Sequence, residues 1–347
     1  MNNNATMLPE WANQSAIQLT WPHKGTDWRD YLDDICATYV EMADAITRYE
    51  QLLIVSPEPE DVKMMLSKRL TKCQMDNVVF HKCPTNDTWA RDHGFITIGN
   101  DGTYSLLDFC FNGWGNKFKA ELDNAINLSL YENRVIEGNY VDHNNFVLEG
   151  GSIESDGHGT IFTTSQCLLA PNRNQPLTRE EIAQQLKSML NAERIIWIDH
   201  GHLDGDDTDG HIDTLVRIAP NDTLLYIGCD DKDDSHYDDL KQMEEQLKTF
   251  RTAEGKPYRL LRLPMPAAIY DDGDRLPATY ANYVILNGAV IYPTYNQPDK
   301  DAEAESVIRT AFPGRDIIGI DSRTVIRQHG SLHCCTMQLY SRINKKQ

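Results

Sequence analysis

Short runs of β-branched and aromatic residues alternate along this chain with longer segments in which apolar residues recur every three or four positions. Runs of the first kind predict β-strands, and segments of the second kind predict amphipathic helices. The predicted strands are Ala16 to Trp21, Gln51 to Ser56, Asn77 to His81, Gly94 to Ile98, Ser105 to Phe111, Gly159 to Thr163, Arg194 to Ile198, Thr223 to Gly228, Tyr258 to Leu263, Tyr283 to Asn287 and Val290 to Pro293. The predicted helices are Trp28 to Tyr49, Asp61 to Leu70, Thr178 to Leu190, Ser235 to Arg251 and Lys300 to Ala311.

The excess of predicted strands over predicted helices, about two to one, does not suit a simple alternation of one strand with one helix. It also excludes a sandwich without helices. The pattern favours an α/β fold built from small mixed units, each with several strands and a helix. Because the chain has no long tract rich in Pro, Gly and Ser and no low-complexity segment, we expect one domain over residues 1–347.

Composition and charge narrow the range of partners. The chain has 52 acidic residues against 33 Lys and Arg, a net charge of −19 with neutral histidines. This negative charge argues against nucleic acid as a binding partner and favours small cations as ligands. Met1 to Thr6 lacks the basic and apolar regions of a targeting signal, and no apolar run could span a membrane, so we expect a cytoplasmic protein. The eight scattered cysteines suggest neither a disulfide framework nor a metal knuckle.

His211 and Asp213 lie two positions apart in Asp209-Gly210-His211-Ile212-Asp213. If residues 210–217 form a strand, both side chains leave the same face, which suits a base and an acid that share one substrate. A solvated acidic loop is the alternative. The apolar residues that follow favour burial, however, and unpaired buried charges are costly, so we expect a functional role.

Trp89 and Asp92 lie close together in Trp89-Ala90-Arg91-Asp92, in a predicted loop. An ordinary surface ion pair between Arg91 and Asp92 is one interpretation, and such a pair would contribute little. An aromatic face beside a carboxylate is, however, the combination that a planar cation recognises. The motif therefore predicts a site for such a cation.

Cys334 lies in Gly330-Ser331-Leu332-His333-Cys334-Cys335-Thr336 and is the candidate nucleophile. A free thiol is mostly protonated at neutral pH, and a nearby cation, such as a cationic substrate, stabilises the reactive thiolate. Since adjacent strand residues face opposite ways, a strand here would bury Cys335 and turn His333 away from Cys334.

These side chains together define one reaction. Two carboxylates can hold a guanidinium by its paired N–H groups while the thiolate attacks the central carbon. The histidine would pass protons to departing ammonia and accept them from incoming water. The expected reaction is deimination through a covalent thiouronium intermediate.

Further motifs occur in order along nearly the whole chain. They are Leu8-Pro9-Glu10-Trp11, Leu19-Thr20-Trp21-Pro22, Asn86-Asp87-Thr88-Trp89-Ala90-Arg91-Asp92, Phe111-Asn112-Gly113-Trp114-Gly115, Phe146-Val147-Leu148-Glu149-Gly150-Gly151-Ser152-Ile153-Glu154, Asn172-Arg173-Asn174, Asp209-Gly210-His211-Ile212-Asp213, Tyr280-Ala281-Asn282 and His333-Cys334-Cys335-Thr336. With these motifs the chain resembles the agmatine deiminase and bacterial peptidylarginine deiminase branch of the guanidine-modifying enzymes, which have the pentein fold.

The resemblance implies a five-bladed α/β propeller of ββαβ units with the site in its central channel. It also implies an enzyme that needs no metal or organic cofactor, and a possible homodimer. The implied roles are Cys334 as nucleophile, His211 as general acid and base, Asp92 and Asp213 as guanidinium ligands, and Trp89, Trp114 and Asn282 as substrate contacts, with Asn282 near the cysteine.

The far end of the substrate decides between members of this branch. Agmatine ends in an ammonium group, which calls for acidic or aromatic partners; the candidate acids are Glu149, Glu154, Asp207 and Asp209, and we select Glu149 and Asp207. Free arginine or a peptide carboxylate would call for a basic partner such as Arg173 or Lys117. We expect agmatine, converted to N-carbamoylputrescine and ammonia in polyamine metabolism, with peptidyl or free arginine as the alternative substrate.

One departure from the branch bears on substrate identity. Agmatine deiminases usually have Gly-Gly-Gly-Asn-Ile-His-Cys at the nucleophile, where this chain has Gln328-His329-Gly330-Ser331-Leu332-His333-Cys334. Two other classes stay open. One is a zinc hydrolase whose ligands would be His211, Asp213, His333 and Cys334, although their spacing is not compact. The other is a catalytically silent polyamine-binding protein.

Overall fold

The computed structural model of the protein describes residues 5–100 and 102–344. Met1 to Asn4, which form most of the segment used to argue against a targeting signal, lie outside these residues, as do both ends of the predicted domain 1–347. Within the described residues, every helix is too short or too polar to cross a lipid bilayer.

Short strands outnumber helices in the described chain, as the sequence predicts. The strands are β1 (Thr6–Met7), β2 (Ala16–Thr20), β3 (Gln51–Ser56), β4 (Val78–Lys82), β5 (Ile96–Asn100), β6 (Thr103–Cys110), β7 (Asn139–Val147), β8 (Ile153–Ser155), β9 (Thr160–Thr164), β10 (Arg194–Ile198), β11 (Val216–Ala219), β12 (Thr223–Gly228), β13 (Arg259–Pro264), β14 (Tyr270–Asp271), β15 (Asp274–Arg275), β16 (Val284–Ile285), β17 (Ala289–Thr294), β18 (Asp316–Asp321) and β19 (Thr336–Leu339).

The helices fall into long ones that connect strands and short ones of about one turn. They are α1 (Leu32–Ile46), α2 (Pro59–Leu66), α3 (Lys72–Met75), α4 (Ala90–His93), α5 (Gly113–Asn116), α6 (Glu121–Asn124), α7 (Ile126–Glu132), α8 (Ser165–Leu168), α9 (Arg179–Leu190), α10 (Tyr237–Thr249) and α11 (Pro298–Ala311). Four 3₁₀ turns complete the description: Arg29–Tyr31, Gly150–Ser152, Ile212–Thr214 and Val325–Gln328.

Five sheets of the described chain share one arrangement, in which an antiparallel pair of strands is extended by a parallel strand. Their strand orders are β19-β2-β3-β4, β1-β5-β6-β7, β8-β9-β10, β11-β12-β13 and β16-β17-β18. In the third of these, β8 is antiparallel to β9 and β9 is parallel to β10. A further sheet is the two-stranded hairpin of β14 and β15. This confirms the predicted α/β fold of small mixed units.

The parallel pairs require crossover connections, and the long helices supply them. Helix α9 joins β9 to β10, α10 joins β12 to β13, and α11 joins β17 to β18. Helix α9 illustrates why these segments are helical. Thr178 and Glu181 form a capping box at its start, and Ile182, Leu186 and Leu190, each four positions apart, form its buried face.

Several predicted elements need correction. The predicted helices Thr178 to Leu190, Ser235 to Arg251 and Lys300 to Ala311 are confirmed within two residues at each end. The predicted helix Trp28 to Tyr49 is shorter, because a 3₁₀ turn precedes α1. Strand β7 was missed because its polar sequence lies at a sheet edge with mostly exposed or half-buried side chains.

The functional side chains come from turns between these strands. Helix α4 lies against the 3₁₀ turn Gly150–Ser152, and that turn lies against the 3₁₀ turn Ile212–Thr214. Helix α4 also contacts β19. Four segments far apart in the sequence therefore meet at one place.

Candidate active site

Cys334 lies at the centre of this meeting point, in the turn that precedes β19. Its buried Sγ is 3.3 Å from Asn282 Nδ2 and 3.7 Å from Asp213 Oδ2. The Asn282 side-chain oxygen accepts hydrogen bonds from the backbone N–H groups of His333 and Cys334, at 2.9 and 3.3 Å. Asn282 thus fixes both the turn and the sulfur.

The neighbours of Cys334 lie in a turn and not in a strand, so the alternation argument was wrong in its premise; Cys335 is nevertheless buried as expected, and only the expectation for His333 is wrong. The thiol of Cys335 lies against the hydroxyl of Tyr39, and burial raises the pKa of Cys335 to about 12. The His333 ring does not turn away from the site, since its Nδ1 lies 2.7 Å from Asp213 Oδ2. His333 and Cys334 therefore reach the same carboxylate oxygen.

His211 and Asp213 are both fully buried at the 3₁₀ turn Ile212–Thr214. The expectation of a strand over residues 210–217 was wrong here, because the strand β11 starts only at Val216. Asp213 Oδ2 accepts from His333, whereas Asp213 Oδ1 has no hydrogen-bond partner within the described chain. His211 Nδ1 lies 3.6 Å from Asp92 Oδ1.

Asp92 is held in α4 by two donors. Trp114 Nε1 donates to Asp92 Oδ2 at 3.0 Å, and the Gly151 backbone N–H donates to Asp92 Oδ1 at 3.1 Å. A β-carbon on Gly151 would lie 2.6 Å from His211 Nδ1, 2.9 Å from Asp92 Oδ1 and 3.1 Å from Asp213 Oδ2. Only glycine lets these three groups crowd around one point.

Arg91 does not form the surface ion pair considered as the alternative for this motif. Its buried guanidinium turns away from Asp92, donates to Glu10 Oε1 at 3.0 Å and also bonds to Gln338. Trp89, at the start of the motif, donates through Nε1 to Asp87 Oδ2 at 3.0 Å.

Burial and neighbouring charges shift the pKa values of these groups in different directions. Burial raises the pKa of Asp92 to about 6, although the His211 charge opposes the rise. For Asp213, burial would raise the pKa, but the hydrogen bond and charge of His333 lower it below the ordinary value. For His211, burial would lower the pKa, but the Asp92 charge, helped by Cys167 and Glu149, raises it to about 10. His211 is therefore protonated at neutral pH.

The Cys334 thiol is shifted in the unreactive direction. Burial raises its pKa well above the ordinary value, and the charges of Asp213 and Asp92 add to the rise. Without a ligand the sulfur is therefore protonated at neutral pH, and an added positive charge between the two carboxylates would reverse their effect.

A cavity opens above Cys334, with about 430 Å³ of empty space that includes its opening to solvent. Five of the residues selected from the sequence line it: Trp89, Asp92, Trp114, Asp207 and Cys334. The lining residues that the sequence argument did not select are Asp27, Asp87, Phe118, Thr208, Gln328, His329 and Gly330.

The stretch that departs from the related branch lies at this cavity. His329 adopts the left-handed conformation with φ 66°, its Nδ1 lies 2.7 Å from Gly205 O, and its Nε2 lies 3.8 Å from Asp207 Oδ2. His329 therefore forms part of the cavity wall beside Asp207.

Glu149 lies deeper than Asp207, fully buried beside His211. Its Oε1 accepts from Arg173 Nε at 2.9 Å, and its Oε2 has no hydrogen-bond partner among the described residues. Ligand atoms of Glu149, Cys167 and His211 all lie within 4.8 Å of one another. The four residues considered as zinc ligands, in contrast, do not form one of the compact ligand sets found in residues 5–100 and 102–344.

The remaining acidic and basic candidates pair with each other. Lys117 Nζ lies 2.7 Å from Asp209 Oδ1, and Arg173 Nη1 lies 2.6 Å from Asp209 Oδ2. Glu154 forms an ion pair with buried Arg217. None of these candidates is among the residues that line the cavity in the described chain.

Comparison with known proteins gives consistent matches over almost the full length. Residues 6–339 match the family profile described as Porphyromonas-type peptidyl-arginine deiminase. An agmatine deiminase of Stutzerimonas stutzeri is 30% identical, over 96% of this chain and 94% of that protein.

Solved structures match as well. A Campylobacter jejuni agmatine deiminase, in a cysteine-to-serine variant with substrate bound, has a TM-score of 0.89 at 40% identity, covering 98% of this chain and 97% of that one. A Porphyromonas gingivalis protein provisionally named an arginine deiminase has a TM-score of 0.92 at 48% identity, covering 97% of this chain and 98% of that one. The α/β fold of this chain is the fold of these proteins.

Proposed function

The chain belongs to the Porphyromonas-type peptidyl-arginine deiminase family, and from this membership we propose that it is an agmatine deiminase, which hydrolyses agmatine to N-carbamoylputrescine and ammonia. One observation supports a guanidinium substrate most directly. Asp213 Oδ1 and Glu149 Oε2 are buried acceptors without a donor in the described chain; Asp213 lies beside Cys334, and Glu149 lies beside His211. Since buried polar atoms are almost always hydrogen-bonded, a ligand rich in N–H donors would complete this site.

The proposed reaction starts when Asp92 and Asp213 hold the guanidinium with its central carbon facing Cys334 Sγ. The positive charge of the substrate offsets the two carboxylates, so the thiol loses its proton to solvent and the thiolate attacks this carbon. Protonated His211 gives its proton to the departing ammonia. Neutral His211 then takes a proton from the water that attacks the thiouronium carbon. The C–S bond breaks as the ureido carbonyl forms, and the remaining hydroxyl proton returns to the Cys334 thiolate. One water is consumed and one ammonia is released.

The charges around the cavity support agmatine over arginine. Its lining includes Asp27, Asp87 and Asp207 but, within the described residues, no Lys or Arg. Arg173 and Lys117, the candidates for a carboxylate partner, are both engaged by Asp209. We assign the substrate ammonium to Asp207 and place Glu149 beside His211 at the guanidinium end.

The rest of the proposal concerns the whole protein. The five similar sheets would form the blades of a closed propeller in one domain over residues 1–347, with the site in its channel. The enzyme would act in the cytoplasm, in polyamine metabolism, as a homodimer. The resemblance to the family supports the propeller, the metabolic role and the homodimer, and the sequence supports the single domain and the cytoplasmic location.

A parallel assay tests the substrate. Purified protein with EDTA is incubated with agmatine, free arginine or a peptide that ends in arginine, and ammonia and ureido product are measured. We expect turnover of agmatine alone. Turnover confined to arginine or the peptide would assign the chain to the other activity of the branch, and dependence on an added metal would contradict the mechanism.

A further inference from the structure

The segment Leu8-Pro9-Glu10-Trp11 has no part in the chemistry described so far, yet it places a carboxylate behind the site. The Glu10 side chain is only 13% exposed, although it lies in an irregular segment near the start of the chain. Its oxygens accept from four side chains: His333 Nε2 at 2.7 Å, Arg217 Nη2 at 2.6 Å, Arg91 Nη1 at 3.0 Å and Gln338 Nε2 at 3.1 Å.

His333 connects this carboxylate to the site. Its Nδ1 lies 2.7 Å from Asp213 Oδ2, and its Nε2 lies 2.7 Å from Glu10 Oε1. The Arg217 guanidinium also reaches the same ring nitrogen, with Nη2 3.0 Å from His333 Nε2. Glu10, His333 and Asp213 thus form one continuous hydrogen-bonded chain that ends beside Cys334.

Glu10 has two buried guanidinium partners in this cluster, Arg91 and Arg217. Burial would raise the pKa of Glu10, but the charges of His333, Arg91 and Arg217 hold it well below the ordinary value. Glu10 is therefore ionised, and removing its charge would leave the buried Arg91 guanidinium without its carboxylate partner.

We propose that Glu10 is a positioning residue that acts through His333 to hold Asp213 ionised and aimed at the guanidinium. The inference rests on the proposed function of the site. With Asp213 Oδ2 tied to His333, the other oxygen is the one left without a partner in the described chain, so the carboxylate cannot rotate freely. Without Glu10, His333 and Arg217 would compete for Asp213 and draw it away from the substrate.

Glu10→Gln tests this role, because it keeps the shape of the side chain and removes its charge. We expect kcat/KM for agmatine to fall by about 10- to 100-fold, the range seen when a partner that orients a metal ligand is removed. Most of this fall in kcat/KM should come from a higher KM, because Asp213 holds the guanidinium before and during the reaction. Glu50→Gln is the matched control: Glu50 is also a buried carboxylate, but it pairs with Asn287 away from the site, and kcat/KM should not change.

A double-mutant cycle separates positioning from general damage. In an Asp213→Asn background, Glu10→Gln should cost much less than in the unmodified protein, because its effect passes through Asp213. The proposal would be overturned if Glu10→Gln lowered kcat/KM by the same factor in both backgrounds, or did not change it at all. If thermal unfolding shows that Glu10→Gln is not folded, Glu10→Asp replaces it in the cycle, because its shorter side chain withdraws the carboxylate from His333 Nε2 and leaves the His333–Asp213 contact in place.

Failure of the proposed function has a different signature. If the unmodified protein turns over none of the three guanidines, the function is wrong whatever the variants do. If it turns over agmatine, calorimetry of agmatine binding to Cys334→Ala, with and without Glu10→Gln, measures the guanidinium site without turnover. Equal affinities would then overturn the role of Glu10 alone.

Discussion

Trp114→Phe should shift the acid limb of the pH profile, because Trp114 Nε1 donates to Asp92 Oδ2 at 3.0 Å. Asp92 must be ionised to bind a guanidinium. Burial raises its pKa to about 6, so kcat/KM should fall as the pH drops below this value. The phenyl ring keeps most of the apolar contact of the indole and removes only the donor. The change is therefore directed at the charge of one carboxylate.

The size of the shift follows from the lost hydrogen bond. A hydrogen bond to a charged group contributes about 1.5–3 kcal/mol, and about 1.4 kcal/mol corresponds to one pKa unit. The pKa of Asp92 should therefore rise by about one to two units, which would move the acid limb from about pH 6 to about pH 7–8. At high pH, where Asp92 is ionised in both proteins, their kcat/KM values should converge.

The assay is kcat/KM for agmatine measured from pH 5 to pH 9, which reports groups of the free enzyme. Trp89→Phe is the matched control, because Trp89 Nε1 donates at the same distance of 3.0 Å to Asp87 and not to Asp92. It should lower kcat/KM without moving the limb. A limb that stays in place in Trp114→Phe, or moves equally in both variants, would show that the limb does not report Asp92.

Three further predictions concern single side chains. Cys335→Ser should retain ammonia release, because the Cys335 thiol faces Tyr39 and not the site. Cys334→Ala should abolish ammonia release but retain agmatine binding. If folded Cys335→Ser loses turnover, Cys334 is not the nucleophile. Asp207→Asn should lower kcat/KM for agmatine by about two- to fivefold, as expected for a half-exposed ion pair worth up to about 1 kcal/mol, and an unchanged value would place the ammonium elsewhere. Asp234→Asn should lower the free energy of unfolding at pH 7 by about 2 kcal/mol, because Asp234 accepts two hydrogen bonds from Arg275. Burial would raise the pKa of Asp234, but Arg275 and His236 lower it. The stability that ionised Asp234 contributes is therefore present above the pKa of the unfolded chain and is lost as the pH falls. Urea unfolding of the unmodified protein and the variant should show a smaller difference in unfolding free energy at pH 3 than at pH 7, and an equal difference would contradict this prediction.

The sequence predicted elements well where one face of an element is apolar. The buried residues of α9 recur every four positions, so this helix was found within one residue. Strand β7 has no such signal, because it packs only one edge and shows most of its side chains to solvent. The pattern of apolar and polar residues identifies a helix or strand only when its buried side chains recur at regular positions, and strands at sheet edges do not show this regularity.

Glu10 and His333 show why part of the site could not be predicted. They are 323 positions apart, and their hydrogen bond depends on how the first described segment packs against the turn before β19. The motifs around both residues were noticed, but spacing along the chain gives no information about a contact over that separation. A buried ionisable residue becomes informative only once its partners are known.

The site also shows that side chains expected to lie together can meet through a geometry other than the expected one. His211 and Asp213 were expected on one face of a strand, and they lie instead at the 3₁₀ turn Ile212–Thr214, with Ile212 in the hydrophobic core. A turn permits this arrangement because its successive side chains need not alternate between two faces. The close approach then depends on Gly151, where a β-carbon would lie 2.6 Å from His211 Nδ1. Residue types therefore predicted that these side chains share one site, whereas the geometry of their meeting depends on a glycine that belongs to another turn.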